Sequence, residues 1–308
     1  MKNAFEFETL AEFLEYFKDE DTCREHFTAI RFRDGEYCPH CGHKKIYSFA
    51  SGKRYRCGSC KQDFTIKTGT VFGESKLPIK KWFIAIYLLS TTSKGISSVQ
   101  LAKHVGVTQK TGWFMDHRIR KAMKQNKGQL FGTVEIDETY IGGLEKNKHA
   151  GNKTKGTQGR GSKVKTPVFG IRERGGEVRT QVVPNCTAQT LLPLIKETVQ
   201  PGAMVCTDEF NGYVGLRKAG FQHGRCSHAT KKFVIGGIHT NGIESFWALF
   251  KRGYHGVYHQ MSRKHLQRYL DESVFRFNRK EQEMHEVFAE VVSNIAASSK
   301  LPYKELIA

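Results

Sequence analysis

The stretch GTVEIDETYIGG, Gly132 to Gly143, decides how the rest of the chain is read. Its β-branched and aromatic residues, Thr133, Val134, Ile136, Thr139, Tyr140 and Ile141, favour a strand, and the Gly142-Gly143 pair ends it. Alternation along a strand sets Glu135, Asp137 and Thr139 on one face and Val134, Ile136, Glu138 and Tyr140 on the other. An acid therefore sits mid-strand among core formers. Burying even a neutral polar group without a partner costs roughly 2 to 7 kcal/mol, so a carboxylate here needs something to neutralise it. A divalent cation would serve. Taken alone, the stretch can equally be a surface strand with its acids in water, and the choice depends on what the rest of the chain supplies.

A chain of 308 residues can bury a substantial core and hold two or three domains. Its 49 Lys and Arg against 30 Asp and Glu leave a net charge of +19, which points to a polyanionic partner. The longest apolar run, Phe83 to Leu89, is far short of the ~20 residues that span a bilayer, so nucleic acid is favoured and no membrane partner is expected. The N-terminus, MKNAFEFETLAEFLEYF, shows no signal-peptide pattern, and an intracellular protein is expected. Four cysteines form one cluster. Cys23, Cys186, Cys206 and Cys226 are scattered in apolar contexts, where cysteine acts as a small core residue.

Towards the N-terminus, Leu10, Phe13, Leu14 and Phe17 recur at helical spacing and predict an amphipathic helix over residues 8 to 19. Next comes Cys38-Pro-His-Cys41 and, fifteen residues on, Cys57-Gly-Ser-Cys60. Each C-x2-C offers two thiolates to one tetrahedral ion, and the interval has room for a small hairpin, so a structural Zn2+ site is expected. A closed four-sulfur site leaves no position open for catalysis. Tyr37, Lys44, Lys45, Tyr47, Lys53, Arg54, Tyr55 and Arg56 surround it; they can touch DNA, or the tyrosines can simply cover the metal. Pro78 suits the first turn of a helix through WFIAIYLLS. Ser97 to Met123 then reads as two helices with a short turn at Val105 to Thr108, either a helix-turn-helix or an ordinary helical hairpin. The positive charge favours the DNA-binding alternative.

Beyond the acidic strand, Glu145 to Lys165 is rich in Lys, Arg, Gly, Thr and Asn, and is expected to be a flexible basic loop near a phosphate backbone. Strands are expected at Thr166 to Glu173 and Glu177 to Val183, joined at Arg174-Gly175-Gly176 and forming an antiparallel meander with the first. Ala188 to Val199 has helical spacing and AMVCTD, Ala203 to Asp208, is a short apolar strand. The intervening helix makes a crossover, which sets this strand parallel to the first and Asp208 at a carboxyl-terminal edge. HTNGIESFWALFKR, His239 to Arg252, is helical by its apolar spacing, with Thr240 or Asn241 as N-cap. Glu244 falls in its first turn and Lys251 seven residues on, facing the same way. Asp137, Asp208 and Glu244 can thus converge as ligands for two Mg2+ ions, with Lys251 placed to hold a DNA backbone.

The order strand, strand, strand, helix, strand, helix with acids at these places resembles the ribonuclease H-like fold. The motifs CPHCG, CGSC, VEIDETYIGG, TDEFNGY and HTNGIESFWALFKRG resemble those of bacterial insertion-sequence transposases of the DDE type, in the ISXO-like group that carries a zinc ribbon. The likeness runs from about residue 8 to residue 280. It implies an α+β protein in which residues 1–76 are an N-terminal helix and zinc ribbon, 77–127 a helix-turn-helix region, and 128–300 a ribonuclease H-like catalytic domain with a mixed sheet. It implies catalytic, metal-holding roles for Asp137, Asp208 and Glu244, zinc on Cys38, Cys41, Cys57 and Cys60, and Mg2+ or Mn2+ as the catalytic ions. Related groups carry Asn in the third-ligand role, so Asn241 is the alternative to Glu244.

Downstream, Glu272, Arg276 and Arg279 match a further helix signature of the family, either as an internal ion-pair network supporting Glu244 or in direct DNA contact. Lys251, Arg252, Arg276 and Arg279 are the expected DNA-binding residues. Glu135 is the reserve ligand, whereas Glu138 and Glu209 are expected to make solvent or structural contacts. No role is assigned to His239, His255 or His259. The implied reaction is attack of an activated water on a phosphodiester at the element's end, then attack of the freed 3′-OH on target DNA. The partners implied are double-stranded DNA, both element ends and target, and further copies of the chain on that DNA, in the bacterial cytoplasm at the nucleoid. Two other classes compete. A DNA-binding regulator with a dead catalytic domain would be expected to lack one of the three acids; a ribonuclease H-like nuclease or resolvase would keep them but needs two N-terminal DNA-binding modules less.

Overall fold

The computed structural model describes residues 6–124, 128–143, 165–213, 215–226 and 237–307; the expected basic loop, except for Lys165, lies outside the described residues. In chain order the elements are α1 (Leu10–Tyr16), α2 (Glu20–Arg31), β1 (Ile46–Ser48), β2 (Tyr55–Cys57), β3 (Asp63–Phe64), α3 (Ile79–Thr91), α4 (Ser98–Val105) and α5 (Gln109–Ala122). They continue with β4 (Thr133–Ile141), β5 (Thr166–Glu173), β6 (Val178–Val182), α6 (Ala188–Thr198), β7 (Met204–Thr207), β8 (Gln222–Arg225), α7 (Asn241–Gly253), α8 (Leu266–Asn278), α9 (Met284–Ala297) and α10 (Tyr303–Ile307). Two compact units result, Met1–Lys124 with Arg279–Ala308, and Gln125–Asn278.

In the first unit α1 buries only half of its apolar stripe: Phe13 and Phe17 are sealed, whereas Leu10 and Leu14 remain 42% and 39% exposed. Phe7, Phe13, Phe17 and Phe83 surround Phe288 of α9, with ring centroids 5.7, 5.2, 5.5 and 5.3 Å away. The sequence reading ran the catalytic domain to residue 300. In the structure the chain beyond Asn278 belongs to the first unit, because α9 carries an apolar face that α2 and α3 cover. The strands β1, β2 and β3 form a small antiparallel sheet, with Cys38, Tyr55, Cys57 and Phe64 as its buried cluster. The expected helix pair is present as α4 and α5. Much of α5, including Met115, Asp116, His117, Ile119 and Arg120, is buried, so its exposed surface is concentrated at Gln109 and Lys110.

The second unit holds a five-stranded sheet in the order β6-β5-β4-β7-β8. β5 is antiparallel to both β4 and β6, while β7 runs parallel to β4 and to β8. This is the expected ribonuclease H-like succession, with the acidic strand central; only β8 went unforeseen. Alternation along β4 divides the core as it must. Val134 and Ile136 pack with Phe169, Ile171 and the α6 residues Leu191 and Ile195. On the opposite face Ile141 and Val168 pack with Ile243, Phe246, Trp247 and Phe250 of α7 and with Leu270 of α8. α7 therefore lies over the face that carries Glu135 and Asp137.

Candidate active site

Parallel pairing of β4 with β7 runs through Glu135 opposite Cys206. Continuing that register past the last residue of β7 sets Asp208 beside Asp137. The turn after β7 is held by Asp208 itself, whose Oδ1 accepts the Phe210 amide at 2.9 Å. Asp137, Glu138 and Asp208 each bring a carboxylate oxygen within 4.8 Å of the others. Glu138 leaves the strand on the α6 side, as alternation requires, and there the buried Tyr213 hydroxyl donates to its Oε2 at 2.6 Å. Burial and that carboxylate raise the Tyr213 phenol well above its usual range, so it stays a donor.

Burial, followed by the charges of Glu138, Asp208 and Glu244, pushes Asp137 up to about 7. Among the described residues, the largest charges acting on it all belong to carboxylates. Carboxylate oxygens gathered this closely are the donor set that a hard divalent cation takes. The residues present fit such an ion.

Glu244 lies in the first turn of α7, close enough to Asp137 for its charge to be felt there, and its Oε1 accepts the Thr240 hydroxyl at 2.7 Å. Asn241, the alternative ligand, is the first residue of the helix and is exposed. Glu135 shares the face of Asp137 as expected, and its carboxylate already has partners. Its carboxylate is taken by Arg174 Nε at 2.9 Å and by the Ile243 amide at 3.0 Å. Glu138, expected to make only solvent or structural contacts, is the one that joins Asp137 and Asp208. The reading of Arg174 as a turn residue missed its side chain; a lone Arg beside two glycines gives no signal of a partner so distant in sequence.

Lys251 and Arg252 stand exposed in the last turn of α7 and form no ion pair among the described residues. Arg276 and Arg279 are placed differently. Arg276, 7% exposed, pairs with the fully buried Glu272, which also accepts the Tyr258 hydroxyl at 2.8 Å. Arg279 pairs with Glu290. Both guanidinium groups thus form ion pairs within the chain. Glu209, His255 and His259 are exposed, and His239 Nδ1 lies 3.2 Å from Glu135.

The zinc-ribbon cysteines meet a sharper geometric test. Four sulfurs at about 2.3 Å from a tetrahedral zinc stand about 3.8 Å apart. Cys38 and Cys60 Sγ are 3.8 Å apart, and Cys41 and Cys57 Sγ 3.6 Å. Both knuckles repeat one device: the amides of His40 and Ser59 point at the sulfurs of Cys38 and Cys57 at 3.4 Å. Such contacts favour thiolate over thiol, and the site fits Zn2+.

The first unit thus carries the four-cysteine cluster of a zinc ribbon, and the second carries clustered acids on a mixed sheet. Residues 129–278 match the ISXO2-like transposase domain and residues 18–63 the transposase zinc-ribbon domain. A protein of the transposable element ISH50 from Halobacterium salinarum is 32% identical over 234 residues, covering 72% of this chain and 79% of that one. A transposase-like protein of Haemophilus influenzae is 39% identical over 105 residues, covering 34% and 84%. The chain thus belongs to the ISXO2-like transposases of the IS1595 family. Among solved structures, a pre-cleavage Mos1 transpososome aligns over 74% of this chain and 82% of its own at 13% identity and a TM-score of 0.30. Among the described residues no helix is long and apolar enough to cross a membrane.

Proposed function

We propose that this transposase cleaves double-stranded DNA at the ends of its insertion sequence and joins the freed 3′-OH to target DNA at the cluster around Asp137. The observation that carries the reading is the approach of the Asp137 and Asp208 carboxylates just beyond the end of β7, with Asp137 raised to about 7 by burial and by neighbouring carboxylates. Asp137, Asp208 and Glu244 would hold two Mg2+ or Mn2+ ions, with Glu138 beside them. Bound there, divalent cations supply an acidified attacking water and charge stabilisation for the leaving 3′ oxygen. The chain's own residues do the positioning: Tyr213 orients Glu138, Thr240 orients Glu244, and the Phe210 amide fixes Asp208. Lys251 and Arg252 hold the DNA backbone without reading its sequence. Residues 1–76 and 77–127 act as DNA-recognising modules, and two or more copies of the chain assemble on paired ends in the bacterial cytoplasm at the nucleoid.

Alanine at Asp137, Asp208 or Glu244 is expected to lower cleavage of a labelled element end by at least about a thousandfold while leaving end binding intact, because each removes charge that the ions need. Pre-cleaved ends carrying a 3′-OH should not rescue the variants. Full strand transfer by Glu244→Ala, with none by Asn241→Ala, would move the third ligand to Asn241 and leave the two aspartates standing. Cleavage without strand transfer by the parent would return the nuclease reading.

A further inference from the structure

We propose that Glu135 and Arg174 form a clamp that sets α7 on the sheet and so delivers Glu244 to Asp137 and Asp208. This rests on the reading of Glu244 as a metal-holding carboxylate. α7 begins without a side-chain cap, since Thr240 occupies the N-cap position but gives its hydroxyl to Glu244. The vacancy at the helix terminus is filled from the sheet: Glu135 Oε2 accepts the Ile243 amide from 108 residues away in sequence. A carboxylate there also meets the positive end of the helix dipole.

The other oxygen of Glu135 takes Arg174 Nε, and the remaining nitrogens of Arg174 donate to Gly237 O at 2.7 Å and His239 O at 3.0 Å. The Arg174 amide donates to Thr133 O on β4 at 3.0 Å. One arginine therefore ties the acidic strand to the segment that enters α7. Glu135 is two residues from Asp137 on the same face, and Ile243 is next to Glu244. Holding the first pair together fixes the distance between the second.

Two glycines let the helix come this close. A Cβ on Gly242 would stand 2.6 Å from Glu135 Oε2 and collide with the Arg172 guanidinium. A Cβ on Gly170, the cross-strand partner of Asp137, would overlap the Trp247 ring. α7 touches the sheet at bare backbone on either side of Glu244. Both oxygens of Glu135 are engaged in holding α7 and Arg174, and it acts as a positioning residue.

The test uses the full-length, zinc-loaded chain and Mn2+ alone, with affinity read by electron paramagnetic resonance and strand transfer of pre-cleaved ends measured across a Mn2+ titration. Gly242→Ala adds one methyl group and removes no ligand; Glu135→Ala removes the clamp. Both are expected to weaken Mn2+ binding tenfold or more, and strand transfer should recover as Mn2+ is raised. Glu135→Gln, which keeps one acceptor, should fall between Glu135→Ala and the parent. Arg174→Lys keeps the charge but loses the fork to Gly237 and His239; at a partly exposed position it provides a folded variant in which the same weakening is expected even if the others do not fold. Parent-like Mn2+ affinity in folded Gly242→Ala or Arg174→Lys overturns the clamp alone. A parent that binds no Mn2+ at the acids, shown by Asp137→Asn leaving the signal unchanged, overturns the active-site reading and the clamp with it.

Discussion

Asp137 is the residue whose chemistry can be examined without DNA. Its carboxyl is raised to about 7 in the fold, above its ordinary value, so between those limits the native state binds a proton that the unfolded chain has released. The sign follows: with ion-free acids the fold loses stability as pH climbs through that window, and below it this group contributes nothing either way. Asp137→Asn abolishes the titration. In chelator that spares the zinc, the variant is expected to be more stable than the parent by a few kcal/mol at about pH 8 and to converge with it near about pH 4. Denaturant midpoints at the two pH values check this; a variant less stable than the parent at the higher pH would mean that the charges are balanced by something unseen. Period-two alternation gave the faces of Glu135, Asp137 and Glu138 correctly from sequence. It could not give their partners. Glu135 is claimed by Arg174 and Ile243, and Glu138 is steered by Tyr213, through contacts that join residues 39, 108 and 75 positions apart.

At the level of elements the same lesson concerns helix ends. The N-cap of α3 is Pro78, which has no side chain able to cap, and that of α7 is Thr240, whose hydroxyl is turned to Glu244. Each is capped by a carboxylate from another element. Glu20 of α2 accepts the Ile79 and Lys80 amides at 2.8 and 2.9 Å, just as Glu135 accepts that of Ile243. Two amides of α3 depend on one side chain, so Glu20→Ala should destabilise the protein by about 1 to 2 kcal/mol, the range for losing a good N-cap. Glu20→Gln should lose less. An unchanged urea midpoint in Glu20→Ala, at constant m-value, would show that water replaces the carboxylate at no cost. Sequence found α3, α5, α6 and α7 because each bears a broad apolar stripe. It passed over α2, whose buried residues, Cys23, Phe27 and Arg31, give a narrow seam ending in a cation, and β8, whose QHGR shows neither alternation nor β-branched residues.

The whole chain does not divide as its motifs do. Zinc-ribbon and paired-helix motifs suggested modules in series, each complete before the next begins, but the first unit takes in Arg279–Ala308 as well. Nothing in α9 announces this, because an amphipathic helix declares that it has a partner and not which one. Phe288 is fully buried at the meeting point of Phe7, Phe13, Phe17 and Phe83. Burying an aromatic side chain of this size stabilises by about 1.5 to 3 kcal/mol, and removing α9 uncovers several at once, against a total stability of only about 5 to 15 kcal/mol for a domain. A fragment ending at Lys124 is therefore expected to keep its helices but to lose a cooperative transition and to bind hydrophobic dye. Joining residues 279–308 to it through a flexible linker should restore cooperative unfolding. The comparison is made by thermal denaturation followed in the near ultraviolet, with zinc present throughout. If the shorter fragment unfolds as sharply as the joined one and at the same temperature, the ring cluster does not depend on α9 and the modules are serial after all.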